Sequence, residues 1–212
     1  MAADNNVSKN GDLRRLILDT TRHLLVQEGY QNLSMRKIAR AIGYSATSIY
    51  LYFDSKDALL HALIDEGMMR LYRALEETAA RHPEDPVARL EALCRCYIAF
   101  GLENPEYYAI MSLLHPEHME WCRPEKDRRA RRTLDFTAAA LAEGDRLGLF
   151  EVDEPRVAAS AIWASLHGAV SLLLAERVDV RIDREAFIAS AIRQAINGYA
   201  KTGASVVAPS DE

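Results

Sequence analysis

Between Ser34 and Leu60 the chain reads SMRKIARAIGYSATSIYLYFDSKDALL. Within it, Thr47, Ser48, Tyr50, Tyr52 and Lys56 place four hydroxyls and one ammonium within ten residues. Serine and threonine hydroxyls can bond base edges or phosphates, and a leucine such as Leu51 can touch a thymine methyl. Tyrosine hydroxyls reach phosphate oxygens, which fixes register without reading sequence. Lys56 adds a positive charge in the first turn of a helix, whose N-terminus itself favours anions. Nothing comparable points to catalysis. His115, His118 and His167 come with no nucleophile and partnered base, no metal-ligand cluster and no phosphate loop. An enzyme is therefore not expected, nor is a cofactor.

The elements that must position these groups are short. Ser34 is a cap for a helix carrying Ile38 and Ile42 one turn apart, and Gly43 ends it. Ser45 opens the next, and at 100° per residue Ala46, Ile49 and Phe53 share its inward face. Thr47, Ser48 and Leu51 fall on the opposite face, with Tyr50 and Tyr52 at its flanks. Two short helices joined by a glycine turn fit a helix-turn-helix, whose second helix enters a major groove. A small three-helix core with solvated polar faces fits the same stretch. The longer helices on either side favour the first reading.

Helical periodicity runs through the rest of the chain, without alternating strand patterns or internal repeats. Asp12 caps a first helix with apolar positions Leu13, Ile17, Thr20 and Leu24, ending at Gly29. Asp54 caps a long helix from Ser55 to about Arg81. Further helices run from Pro86 to Phe100, from about Glu125 to Leu147, from Pro155, and from Arg184 to Lys201. The expected fold is all-α, with about nine helices by pattern counting. An unstructured stretch is expected at 1–11, a reader domain at 12–58, a larger helical domain at 59–202 and an unstructured tail at 203–212.

Length and composition agree with a folded chain. At 212 residues, 49% hydrophobic and 27% charged, it can bury a sizeable core. Net charge is −5, divided as +2 over residues 1–60 and −7 over 61–212. The slightly basic segment is the one with the hydroxyl-rich helix, which suits a polyanionic partner. Cys94, Cys96 and Cys122 have neither disulfide-framework nor zinc spacing and suit a reducing cytoplasm. The polar N-terminus has no secretory h-region. Val157 to Ala175 is uncharged for 19 residues, close to bilayer-spanning length. Its six alanines, three serines, histidine and glycine suit a lipid-facing helix poorly. It is read as a helix covered on most sides by protein, with no membrane partner.

The stretch from Gly29 to Ile64, GYQNLSMRKIARAIGYSATSIYLYFDSKDALLHALI, resembles the DNA-binding domain of the tetracycline-repressor (TetR) family of bacterial regulators. Its most specific elements are GY before the second helix, IA…IG within it, and IYLYFDSKDALL. The family often has another aromatic where Leu51 stands. The resemblance implies that Ser34 and Arg36 approach phosphates and the groove edge. It further implies that Ala46, Thr47 and Ser48 face the bases, while Tyr50, Tyr52 and Lys56 hold the backbone. The partner it implies is double-stranded operator DNA.

Family members join such a reader to a helical domain for ligand binding and dimerisation. IWASLHGAV, Ile162 to Val170, resembles a C-terminal type marked by Trp-x-x-x-His-Gly, here Trp163, His167 and Gly168. On that helix Ala158, Ala161, Ser165, Gly168 and Leu172 form a seam of small residues permitting close helix approach. With Ile188, Ile192, Ala195 and Tyr199 of the last helix they are the expected homodimer interface. A monomer would have to bury both faces internally. Tyr97, Phe100, Tyr107, Tyr108 and Met111, with Trp163 and His167, are candidates to wall an apolar pocket for a small organic effector. Met119, Trp121 and Phe136 belong to the same aromatic-rich region. Arg128, Arg129, Arg131 and Arg132 read as a solvated helix face. A carrier of apolar ligands, using the helical domain alone, is the other function class this half permits.

Overall fold

Nine α-helices and one short 3-10 turn make up the regular structure of the described residues, 3–113 and 124–201 of this computed structural model. They are α1 (Ala3–Glu28), the turn Tyr30–Asn32, α2 (Met35–Ala41), α3 (Ala46–Tyr50), α4 (Lys56–Ala80), α5 (Pro86–Glu103), α6 (Pro105–Leu113), α7 (Pro124–Arg146), α8 (Pro155–Leu174) and α9 (Arg184–Asn197). His115, His118, Met119, Trp121, Cys122 and the 203–212 tail lie outside the described residues, as do the side chains of Arg128, Arg129 and Arg131.

Caps and prolines set the helix starts. The hydroxyl oxygens of Ser34 and Ser45 accept the backbone N–H of Lys37 and Ser48, and Asp85 and Asp183 cap α5 and α9 in the same way. α5, α6, α7 and α8 each begin on a proline, where no intrahelical donor is lost. Gly43 and Gly148 adopt φ 74° at the ends of α2 and α7, a conformation that favours glycine.

Three boundaries differ from those expected. α1 begins at Ala3 rather than at Asp12, so most of the stretch expected to be unstructured is helical. Ser55, not Asp54, caps α4: its hydroxyl oxygen accepts the Ala58 N–H at 3.1 Å. α9 ends at Asn197, short of Lys201, because the following residues pair with the turn after α7. Glu151 donates to the Tyr199 carbonyl at 2.9 Å and Lys201 to that of Leu149 at 3.3 Å.

The chain forms two compact units, Met1–Met68 with Glu106–Trp121, and Met69–Pro105 with Cys122–Glu212. The first unit therefore reaches past the expected boundary at residue 58. It does so because Leu59, Leu60 and Leu63 of α4 and Ile110 of α6 complete its core with Ile17, Leu18, Leu25, Met35, Ile38, Ile49 and Phe53. On α1 the buried stripe is Ile17, Leu18, Thr21 and Leu25, with Thr20 only half-buried. Thr21 is tolerated there because its hydroxyl donates to the Ile17 carbonyl at 2.7 Å.

In the second unit α8 packs against α5, α7 and α9. Its inward residues are Ala158, Ala159, Ile162, Leu166, Ala169 and Val170, met by Ile188, Ile192 and Ile196 of α9. Buried Cys94 has its thiol pushed up to about 12 by desolvation. α8 has the length and composition to cross a membrane, with mean hydropathy 1.7. Only 33% of its most apolar window is buried, so a single chain covers it on one face rather than on most sides.

Candidate nucleic-acid interface

The five-residue α3 is too short to be stable alone. Its position comes from Ile49, fully buried, and Phe53, both seated in the core of the first unit, with Ala46 half-buried beside them. What remains outward is Thr47, Tyr50 and Leu51, the last two 52% and 80% exposed. Ser48 is half-buried, its hydroxyl paired with that of Ser45 at 2.9 Å. Tyr52 packs partly against the core, Arg36 is exposed on α2, and Ser34 caps that helix.

Tyr30 ties the start of α4 to the turn before α2. Lys56 Nζ donates to the Tyr30 carbonyl at 3.0 Å and lies 3.8 Å from the ring centroid, while the Tyr30 hydroxyl donates to Asp57. The ammonium has further donors at this edge of the reader. Burial, then the Asp57 hydrogen bond, pushes the Tyr30 phenol up to about 12 from its ordinary 10. Between those values the unfolded chain loses the phenolic proton first, so the folded state loses stability as pH rises from 10 to 12. Tyr30→Phe should cost about 1 kcal/mol below pH 10 and show a shallower decline above it, measured by urea denaturation at stepped pH.

Two features were not anticipated from sequence. Tyr44, in the turn between α2 and α3, exposes half of its ring. The signal was an aromatic directly after the turn glycine. The second is a polar network joining α1, α4 and α6 within the first unit. The Tyr107 hydroxyl donates to Glu66 at 2.7 Å and accepts from Arg22 at 2.8 Å, with Arg15 Nη2 at 3.5 Å. Arg15 also holds Glu66 at 2.6 Å and pairs with Asp19, whose carboxyl is drawn below its ordinary range by that bond. Arg22 lies over the Tyr107 ring, its guanidinium 4.8 Å from the centroid, and binds Glu106 at 2.8 Å. Tyr107 is thus buried, yet its polar end is committed to a charged cluster rather than offered to an apolar ligand. Tyr108 and Met111 share its helix in the first unit.

The remaining pocket candidates are in the second unit. The Trp163 indole N–H donates to the Tyr97 hydroxyl at 3.0 Å, and its ring stacks on His167 at 5.4 Å between centroids. Phe100 is buried in α5. Phe136 packs against Tyr72, whose ring Arg132 also approaches. Among the candidate interface residues, Ala158, Ile188 and Ile192 are buried within their own unit. Ala161, Ser165 and Leu172 face outward, while Gly168, Ala195 and Tyr199 are half-buried. Among the described residues no group of histidine, cysteine and carboxylate side chains could hold a metal ion.

A capped helix-turn-helix, with its second helix seated by an apolar core and its hydroxyl-bearing face outward, has the geometry of a module that places one helix in a major groove. Residues 17–63 match the bacterial regulatory proteins of the tetR family, and residues 90–195 match the tetracycline-repressor-like C-terminal domain. The chain belongs to the TetR family. An HTH-type transcriptional regulator encoded in the dhlA 5′ region of Xanthobacter autotrophicus is 35% identical over 108 residues, covering 49% of this chain and 51% of that protein. The chain spans about half the length of the curated relatives it matches. A solved protein of unknown function from Rhodococcus sp. RHA1 is similar over 89% of this chain and 96% of its own, with TM-score 0.75 and 26% identity. SmeT, the repressor of the Stenotrophomonas maltophilia multidrug efflux pump SmeDEF, shares the fold over 93% of this chain and 94% of its own, with TM-score 0.69 and 21% identity. SmeT has also been solved as a triclosan complex.

Proposed function

We propose that the chain is a cytoplasmic, homodimeric repressor that a small, largely apolar molecule releases from a palindromic operator. The observation that carries the DNA half is the outward face of α3, where Thr47, Tyr50 and Leu51 stand clear of a packed core. Tyr50, Tyr52 and Lys56 are assigned to phosphates, with Arg36 and Ser34 at the groove edge. Thr47 and Ser48, with Ala46 beside them, are assigned to the bases.

The dimer reading draws on α8. Val157, Ala161, Ser165 and Leu172 leave an apolar, small-residue stripe uncovered by the chain itself, and a second copy related by a twofold axis would cover it. Such symmetry sets two α3 helices on one side of a duplex, at half-sites about 10–10.5 bp apart or multiples of that. The effector is assigned to the second unit around Tyr97, Phe100, Trp163 and His167. SmeT's triclosan complex supports an organic molecule of this class in a chain of this fold. α4 contributes to both units, which makes it the covalent route from effector to reader. An effector preferring a reader spacing that does not match the operator lowers operator affinity, and operator lowers effector affinity by the same factor, about 5–150-fold.

The phosphate and base assignments separate cleanly in solution. Lys56→Ala should weaken binding to all duplexes alike and lower the salt slope by about 1. Thr47→Ala should instead alter sequence preference at nearly unchanged slope. An unchanged total affinity with altered specificity in Lys56→Ala would overturn the assignment; fluorescence anisotropy across a salt series reads both.

A further inference from the structure

We propose that the reader selects its half-site chiefly through thymine methyl groups, contacted by Leu51 and by the γ-methyl of Thr47. The inference rests on the DNA-binding reading above and specifies what that surface recognises. Leu51 keeps helical backbone angles, φ −68° and ψ −18°, at the end of α3. It therefore stands one turn beyond Thr47, and the two side chains are neighbours on one stripe. Leu51 is 80% exposed, the most exposed large apolar residue among the described residues of the reader unit.

The chemistry of that stripe narrows what it can recognise. Guanine is read in the major groove by arginine or lysine, and adenine by asparagine or glutamine, through paired hydrogen bonds. From Tyr44 to Phe53 the sequence YSATSIYLYF contains none of these. The two serines are partly engaged with each other: Ser45 caps the Ser48 N–H at 3.1 Å, and their hydroxyls pair at 2.9 Å, which leaves Ser48 a reduced share of the readout. With Tyr50 assigned to phosphate, Leu51 and Thr47 are the outward groups that share one line, and their shared chemistry is apolar. Among the four bases only thymine presents a methyl in the major groove. Burying Leu51 and the Thr47 methyl against thymine removes apolar surface from water on both sides of the contact.

Deoxyuridine lacks only that methyl and isolates the effect. The full chain is used to enrich a site from a random duplex pool, and the site is resynthesised with deoxyuridine at each thymine in turn. The expected loss is about fourfold at a contacted position in one half-site and about 15-fold when both half-sites are changed, the weight of one buried methyl each. Leu51→Ala, an exposed substitution that leaves the core untouched, should bind the thymine and uracil forms equally at its position. Thr47→Ser, which keeps the hydroxyl, should lose discrimination at a second thymine. Equal affinity of the unaltered chain for every uracil-substituted site overturns the proposal while leaving DNA binding intact. So does discrimination that survives both substitutions. Failure to enrich any site overturns the DNA-binding reading and this proposal together.

Discussion

Gly168→Trp should yield folded monomers whose operator affinity falls by roughly 10²–10⁴, the avidity that two linked readers gain over one. Gly168 sits midway along α8, where an added Cβ would meet nothing within 4 Å in the single chain. The first carbon of a side chain is therefore accommodated in the isolated protein, and tryptophan also suits a helix better than glycine does. Ala161, Ser165 and Leu172, one and two turns away on the outward face, are the residues a second α8 would have to approach. Tryptophan holds the two helices apart. Circular dichroism should report an intact helical fold, sedimentation a single chain, and anisotropy weak DNA binding. A dimer that survives the substitution removes α8 from the interface.

Ile49→Ala should have the complementary effect, loss of the reader with the dimer intact. Ile49 is fully buried and fixes α3 to the core formed by α1, α2 and the first half of α4. Removing three carbons there should cost about 2–5 kcal/mol, a large part of the roughly 5–15 kcal/mol that holds a domain together. α3 has five residues and no stability of its own. Hydrogen exchange in α2 and α3 should accelerate, and operator binding should fail at temperatures the unaltered chain tolerates. The second unit lacks this contact and should sediment as a dimer. Unaltered exchange in α3 would show that Ile49 is not what seats the reader.

Local signals made the reader legible. Ser34, Gly43 and Ser45 are punctuation whose chemistry is complete within four residues, and each acts as a cap or a turn in the structure. The inward face of Ala46, Ile49 and Phe53 follows from helical spacing alone. Long-range pairing was not legible. Aromatic neighbours in sequence make Tyr107 a pocket candidate, whereas its hydrogen-bond partners Arg15, Arg22 and Glu66 are 92, 85 and 41 positions away. The spacing of Ile188 and Ile192 was correctly periodic, but periodicity does not say whether an apolar stripe meets its own chain or another. Both face inward. On α8 the sequence shows two faces, but not which of their residues the chain itself covers: Ala158 is buried, while Ala161, Ser165 and Leu172 are bare.

The central claim is that this chain recognises a specific duplex as a symmetric pair of readers. Enrichment from a random duplex pool by the full-length protein, followed by sequencing, tests it most directly. The expected result is an inverted repeat with half-sites separated by about a whole number of helical turns. A pool that remains random after repeated rounds, at salt low enough for nonspecific binding to be seen, would contradict it.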